Sequence, residues 1–258
     1  MNPHGEDLTV TVIYDNRAGA EGLESAWGFA CLVEGLEKAI LFDTGGDGPM
    51  LLRNMAELEI EPRDVGAVVL SHAHWDHTGG LAAFLDVYGA VTVYLLESFP
   101  DEIGDDSRRR GARVVKVDQP TELCDGATLT GEMMGEAGIA EQSLLLSTDS
   151  GVAVVTGCAH PGIVSTVERA TEMTGQDVLV ILGGFHLFKD SDASVRRTVS
   201  RLQELDVRWA GPCHCSGDPA IQRFADAYGD AFLACGAGAV IPVGKLLQAA
   251  RSEGRNDE

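Results

Sequence analysis

The stretch GAVVLSHAHWDHTGG, residues 66–80, decides how the rest of the chain is read. An apolar, strand-like run ends at Leu70, and four side chains able to hold a metal follow within six positions: His72, His74, Asp76 and His77. His72 and His74 are two apart, so if extended geometry persists through them both side chains leave on the same face. Asp76 and His77 are expected in the turn that feeds a helix beginning near Gly79. Neutral imidazoles and carboxylates are good ligands for zinc and similar divalent ions. A lone histidine at a strand end is commonly satisfied by hydrogen bonds. Three of them packed with a carboxylate repel or go unsatisfied unless a cation gathers them.

Outward from that stretch, His160 lies in TGCAHPGI after the strand-like GVAVV, His186 in GGFHL after VLVI, and His214 in GPCHC after VRWA. Strand ends are where α/β sheets commonly place their sites. Six of the seven histidines therefore gather by expected topology, leaving His4 outside. Strands are expected at 8–14, 27–35, 38–45, 66–72 and in VTVYLLE, with helices around PMLLRNMAELEI and GGLAAFLDVYG. The polar stretch 97–111 reads as a loop. The second half repeats the rhythm: ARVVKVD, ATLTGEMM, SLLLSTD and GVAVVTG are strand-like, with STDSG (147–151) a hairpin turn. Helical IVSTVERATEMTG, ASVRRTVSRLQEL and IQRFADAYG then alternate with strands VLVILGG and VRWAGPC. Two β-rich layers covered by helices follow, an α/β architecture within one domain over residues 1–258. The tail SEGRNDE reads as frayed.

The 258 residues, 45% of them hydrophobic, are enough for a substantial core. Forty acidic against 19 basic residues give a formal charge of -21, which argues against nucleic acid or an anionic membrane as partner. No stretch of 18 apolar residues appears, and the opening MNPHGEDLTV lacks the features of a secretion signal. A soluble, cytoplasmic protein acting on a small-molecule substrate is expected; the sequence carries no signal of oligomeric state. Six cysteines without a secretion signal read as free thiols or site residues. Arg108–Arg110 is read as a solvated loop rather than a phosphate clamp. The GxSxG and P-loop patterns are absent, which removes the main hydrolytic and nucleotide-binding competitors.

FDTG with Asp43, the H-x-H-x-D-H signature and the later strand-end histidines resemble the metallo-β-lactamase superfamily over nearly the whole chain. LFDTGGDG, SHAHWDHTGG, TGCAHPGI, GGFHL and CHC are similar to the branch called 7,8-dihydropterin-6-methyl-4-(β-D-ribofuranosyl)aminobenzene-5'-phosphate synthases, or simply metal-dependent hydrolases. The resemblance implies an αββα four-layer sandwich with two divalent ions at one edge. It implies that His72 and His74 bind a first ion, and Asp76 and His77 a second whose ligands His214 completes. His160 is assigned as third ligand of the first ion. Most members have a His before this hairpin and a bridging Asp after it; here Glu141 precedes it, and Cys158 then His160 follow. Cys158 is either a bridging thiolate or a small buried residue, the latter being preferred. Asp43 is expected to orient the metal-binding loop, a role a backing carboxylate can fill beside its turn-forming one.

His186 is left with several roles: protonating a leaving group, binding a substrate anion, adding a ligand, or packing at a helix start. Cys213 and Cys215 are expected to pack beside His214. Two ions about 3.5–4 Å apart would share a water, lower its pKa and aim it at a carbonyl or phosphoryl centre. The expected activity is hydrolysis of a small-molecule ester, phosphoester or lactone by metal-bound hydroxide, with Asp76 and His186 as catalytic residues. Zinc is expected, with manganese or iron accepted by the same donors. A pterin-related synthase on the same centre and a diiron oxidoreductase are the alternatives; relatives of the second kind usually carry Glu where this chain has His74.

Overall fold

The computed structural model describes residues 5–254, with Glu136 and residues 251–254 described by their backbone. The first half runs β1 (Thr9–Tyr14), β2 (Ala30–Glu34), β3 (Ala39–Phe42), α1 (Gly48–Glu57), β4 (Val65–Val69), α2 (Trp75–Thr78), α3 (Leu81–Val87), β5 (Thr92–Leu96), α4 (Asp101–Arg109) and β6 (Arg113–Val117). The second runs β7 (Thr121–Cys124), β8 (Ala127–Leu129), β9 (Met133–Met134), β10 (Ala140–Glu141), β11 (Leu144–Thr148), β12 (Gly151–Thr156), α5 (Ile163–Thr174), β13 (Val178–Gly184), α6 (Asp192–Glu204), β14 (Trp209–Cys213), α7 (Asp218–Tyr228), β15 (Val240–Ile241) and α8 (Val243–Gly254).

Two mixed sheets face each other, ordered β15-β1-β2-β3-β4-β5-β6 and β14-β13-β12-β11-β8-β7. Strand alternation decides which side chain enters which layer. Ile40 and Phe42 of β3 and Val180 and Leu182 of β13 point into the core between the sheets, where Leu247 and Ala250 of α8 join them. Leu41 points outward against Met50, Leu51 and Phe84 of α1 and α3. Val152, Val154 and Ile181 point outward on the other side, against Val167 of α5, Val199 of α6 and Phe224 of α7. The layers are therefore helices, sheet, sheet, helices, the αββα sandwich expected.

Strands β3, β4, β5 and β6 run parallel in one sheet and β12, β13 and β14 in the other. Asp43, Ser71 and His72 follow the ends of β3 and β4, and Cys158, His186 and His214 follow β12, β13 and β14. The 147–151 hairpin is present, with Thr148 opposite Gly151.

Two expectations are corrected. Residues 101–109 form a helix, not a loop: acidic Asp101 and Glu102 start it, Arg108 and Arg109 end it, matching the helix dipole. Arg108 pairs with Asp105 and Arg109 with Asp106 of the same helix, and Arg110 bridges Asp106 to Asp86 of α3, so no phosphate clamp is formed. Asp76 and His77 lie within the short α2 rather than in a turn before a helix at Gly79. Of the tail, residues 252–254 continue α8, and residues 255–258 lie outside the described part, as does His4. No helix among the described residues is long and apolar enough to cross a membrane.

Candidate metal centre

The 70–80 loop is held from below by Asp43. That residue is fully buried and left-handed, with φ at 59°, and its Oδ1 accepts a hydrogen bond from the Ser71 amide at 2.7 Å. Its Oδ2 accepts from the Ser71 hydroxyl at 2.7 Å and stands 2.7 Å from His77 Nδ1. The Ser71 Oγ in turn lies 2.9 Å from His72 Nδ1. Because the single hydroxyl proton goes to Asp43, His72 Nδ1 must donate to Ser71, and both histidines then present a bare Nε2 to the site. Gly157, at the end of β12, makes this packing possible: a Cβ there would come within 2.2 Å of Ser71 Oγ and 2.8 Å of Asp43 Oδ2.

From the second sheet, Glu141 shapes the loop after β12. Its Oε1 accepts from the amides of Cys158 at 2.8 Å and Ala159 at 2.9 Å, and from Thr156 Oγ1 at 3.1 Å. Its Oε2 takes the His160 amide at 2.9 Å and His160 Nδ1 at 2.7 Å. His214 is pinned by residues 198 or more positions away: Asn16 Oδ1 meets its Nδ1 at 3.0 Å, Asn16 Nδ2 donates to its carbonyl, and Asp15 Oδ2 accepts from its amide at 2.9 Å. Ala159, His186 and His214 share the left-handed conformation of Asp43, which for residues with a Cβ costs of order 1 kcal/mol each.

The side chains converge as two triads. In His72, His74 and His160 the ligand atoms lie within 4.8 Å of one another, as do those of Asp76, His77 and His214. His72 Nε2 is 3.0 Å from His74 Nδ1, and Asp76 Oδ2 is 3.3 Å from His214 Nε2 and 3.8 Å from His77 Nε2. Cys158 Sγ stands between the triads, 3.3 Å from His77 Nε2, and also falls within groups formed with His72, with His160 and His186, and with His214 and Cys215.

A divalent cation fits this donor set on one observation above all. The Nε2 atoms of His160 and His214 are buried without a hydrogen-bond partner, while each Nδ1 is committed to a protein acceptor. A buried lone pair aimed at other lone pairs is costly unless a cation lies between them. Electrostatics agree. Burial lowers the His72 and His74 imidazoles, and that of His77 to about 3, leaving them neutral, the form that ligates. Burial opposes ionisation of Asp76, but the adjacent His214 and His77 outweigh it and hold the carboxyl well below the usual range. Burial, with Cys215 next, pushes the Cys158 thiol well above its ordinary value. A coordinating cation reverses that preference by drawing off the proton.

Each residue expected at the site from sequence is at or beside it, including Asp43 and His186. Cys158 is both buried and central, so the two readings of it are not exclusive. Cys213 faces the core between the sheets, whereas Cys215 reaches the site, its Sγ accepting from the His186 amide at 3.3 Å. All six cysteines are free thiols. His186 is exposed, its ring centroid 4.6 Å from that of His160. Sequence reasoning missed Asp15, Asn16, the relay through Ser71, and Trp27, whose ring centroid lies 5.0 Å from that of His214. Ser71 at least adjoined the motif; Asp15 and Asn16 gave no local signal.

Residues 28–214 match the family model of the metallo-beta-lactamase superfamily. The 7,8-dihydropterin-6-methyl-4-(beta-D-ribofuranosyl)-aminobenzene-5'-phosphate synthase of Methanocaldococcus jannaschii is 28% identical over 84% of this chain and 90% of its own length. Among solved structures, Tm1679, described as a metal-dependent hydrolase of the beta-lactamase superfamily, superposes with a TM-score of 0.77 at 26% identity, over 91% of this chain and 98% of that one. YhfI of Bacillus subtilis, a metallo-beta-lactamase fold protein, gives a TM-score of 0.65 at 15% identity over 91% and 98%.

Proposed function

The chain belongs to the metallo-β-lactamase superfamily, and from that premise we propose that it hydrolyses a small-molecule ester, phosphoester or lactone at a centre of two divalent ions. The observation that carries this reading is the pair of orphaned imidazole nitrogens, on His160 and His214, one in each triad. The 26% identical Tm1679, described as a metal-dependent hydrolase, supports it.

His72 Nε2, His74 Nδ1 and His160 Nε2 would hold one ion; Asp76, His77 Nε2 and His214 Nε2 the other, with the Cys158 sulfur in reach of both. Bound there, the ions supply Lewis acidity and an activated water. Zinc suits a donor set of imidazole, carboxylate and thiolate, and manganese or iron can occupy the same donors. Asp43 and Glu141 keep the ligating nitrogens bare. Asp76, ionised, is available to accept a hydrogen bond from the attacking water. His186, exposed and lining the cavity beside the centre, would hand a proton to the leaving group.

Elemental analysis of purified protein is expected to find two divalent ions per chain. Turnover of at least one class in a panel of carboxylic esters, lactones, phosphomonoesters and phosphodiesters should vanish with chelator and return with zinc or manganese. His72→Ala or Asp76→Ala should lose metal and about a thousandfold or more in rate together. Two ions retained in either variant, or metal-loaded protein inert toward every class, would overturn the proposal.

A further inference from the structure

Six large apolar side chains stand exposed among the described residues, and the three aromatic ones, Trp27, Trp75 and Phe188, line a single cavity of about 260 Å³. The rest of its wall is the metal centre, with His74, Asp76, Cys158 and His160 among the lining side chains. Single exposed apolar residues are ordinary, but three aromatics converging on catalytic-type side chains mark a ligand site. The volume lies below the roughly 300–1,000 Å³ of pockets that enclose drug-sized molecules, so it suits a ring rather than a whole cofactor.

Each of the three rings is held in place. Trp75 lies across the backbone of Gly46, where a Cβ would come within 2.4 Å of its ring. Trp27 packs against His214 and meets Phe188 edge-on with centroids 6.0 Å apart. Phe188 meets His186 edge-on at 5.3 Å, and the Lys189 ammonium lies 5.1 Å from its centroid. Walls already in position lose little freedom when a ligand enters.

We infer that the substrate carries a planar aromatic ring, which packs among Trp27, Trp75 and Phe188 on the His214 side of the centre and sets the reacting bond toward His186. The reacting bond presupposes the hydrolysis proposed above; ring binding does not. Aromatic walls favour a planar ring over a saturated one of similar size, because edge and offset contacts with the π-faces add to simple burial.

Benzylphosphonate and cyclohexylmethylphosphonate share an anionic head and differ in the ring. Calorimetric titration of zinc-loaded protein should show about tenfold tighter binding of the benzyl compound. In a Trp27→Leu/Trp75→Leu double variant with unchanged metal content the two affinities should come within about twofold. Gly46→Ala, which keeps both tryptophans but displaces the Trp75 ring, should reduce the preference in the same direction. Equal affinities in the wild type, no binding of benzylphosphonate, or a preference surviving the double variant would overturn the inference. Benzyl and cyclohexylmethyl esters separate it from the hydrolytic reading. If neither ester turns over while the phosphonate preference holds, hydrolysis alone fails; if both turn over with equal kcat/KM and the phosphonates bind equally, the aromatic assignment alone fails.

Discussion

Asp43, after β3 in the first sheet, and Glu141, in β10 beside the second, are carboxylates with 0% and 1% of their surface exposed, and each backs one side of the same centre. Asp43 takes one amide, that of Ser71, and otherwise side chains: the Ser71 hydroxyl and the His77 imidazole. Glu141 takes three consecutive amides, at residues 158–160, together with Thr156 and the His160 imidazole. Their acidities diverge accordingly. Burial raises the Asp43 carboxyl to about 7. Burial acts on Glu141 too, yet the His160 hydrogen bond and the nearby His72 outweigh it and hold the carboxyl well below its usual range. The lesson is that one carboxylate chooses tautomers on a loop that helix α2 already shapes, whereas the other creates the loop that carries Cys158 and His160 to the site.

The largest effect expected to test that division is Glu141→Gln. An amide in place of one carboxylate oxygen puts a donor against donors, leaving at least one of three buried N–H groups unpaired, at about 1–3 kcal/mol each. The loop carrying Cys158 and His160 should loosen, with a stability loss of about 3 kcal/mol or more by denaturant titration and loss of the ion at the first triad. A variant of wild-type stability that still holds two ions would break the comparison.

Asp43→Asn is expected to be milder for the fold and selective for the ligands. Asparagine keeps an oxygen for the Ser71 amide, but its NH2 then faces His77 Nδ1, which must give up its proton and leave Nε2 protonated toward the site. Metal affinity should fall by about 10- to 100-fold in chelator competition, with a stability change smaller than that of Glu141→Gln. If Asp43→Asn is the more destabilised of the two, the roles have been assigned the wrong way round.

The same contrast explains what the sequence discloses. The first-sheet members of the candidate site, His72, His74, Asp76 and His77, are a local pattern, four residues within six, and Asp43 sits in a recognisable turn at a strand end. Alternating apolar runs disclose most strands, because one face of each must enter a core. The second-sheet members come one per strand end, and only their shared topology links His160 and His214. Glu141 is visible merely as a departure from the pattern that the resemblance implies; that it holds three amides depends on how 141 and 158–160 meet in space. Asn16 and His214 are 198 residues apart, beyond any periodicity, and the 101–109 helix was hidden by a polar composition that suits loops and solvated helices alike.

The finest test of the Asp43–Glu141 contrast is pH dependence in the metal-free protein. A carboxyl whose folded pKa is depressed contributes stability that is fully present above its unfolded value of about 4.5 and is lost as pH falls toward the folded value. The stability gap between wild type and Glu141→Gln should therefore be flat from pH 7 to about 5 and shrink below pH 4.5 by up to about 1.4 kcal/mol per pH unit. Asp43 has the opposite sign: its raised carboxyl contributes fully below about 3.8, and that contribution is lost as pH rises toward 7. The gap between wild type and Asp43→Asn should accordingly not shrink on acidification in the way the Glu141 gap does. Parallel pH profiles for the two variants, measured by urea unfolding at each pH, would show that the carboxylates act alike and that their different partners have no energetic meaning.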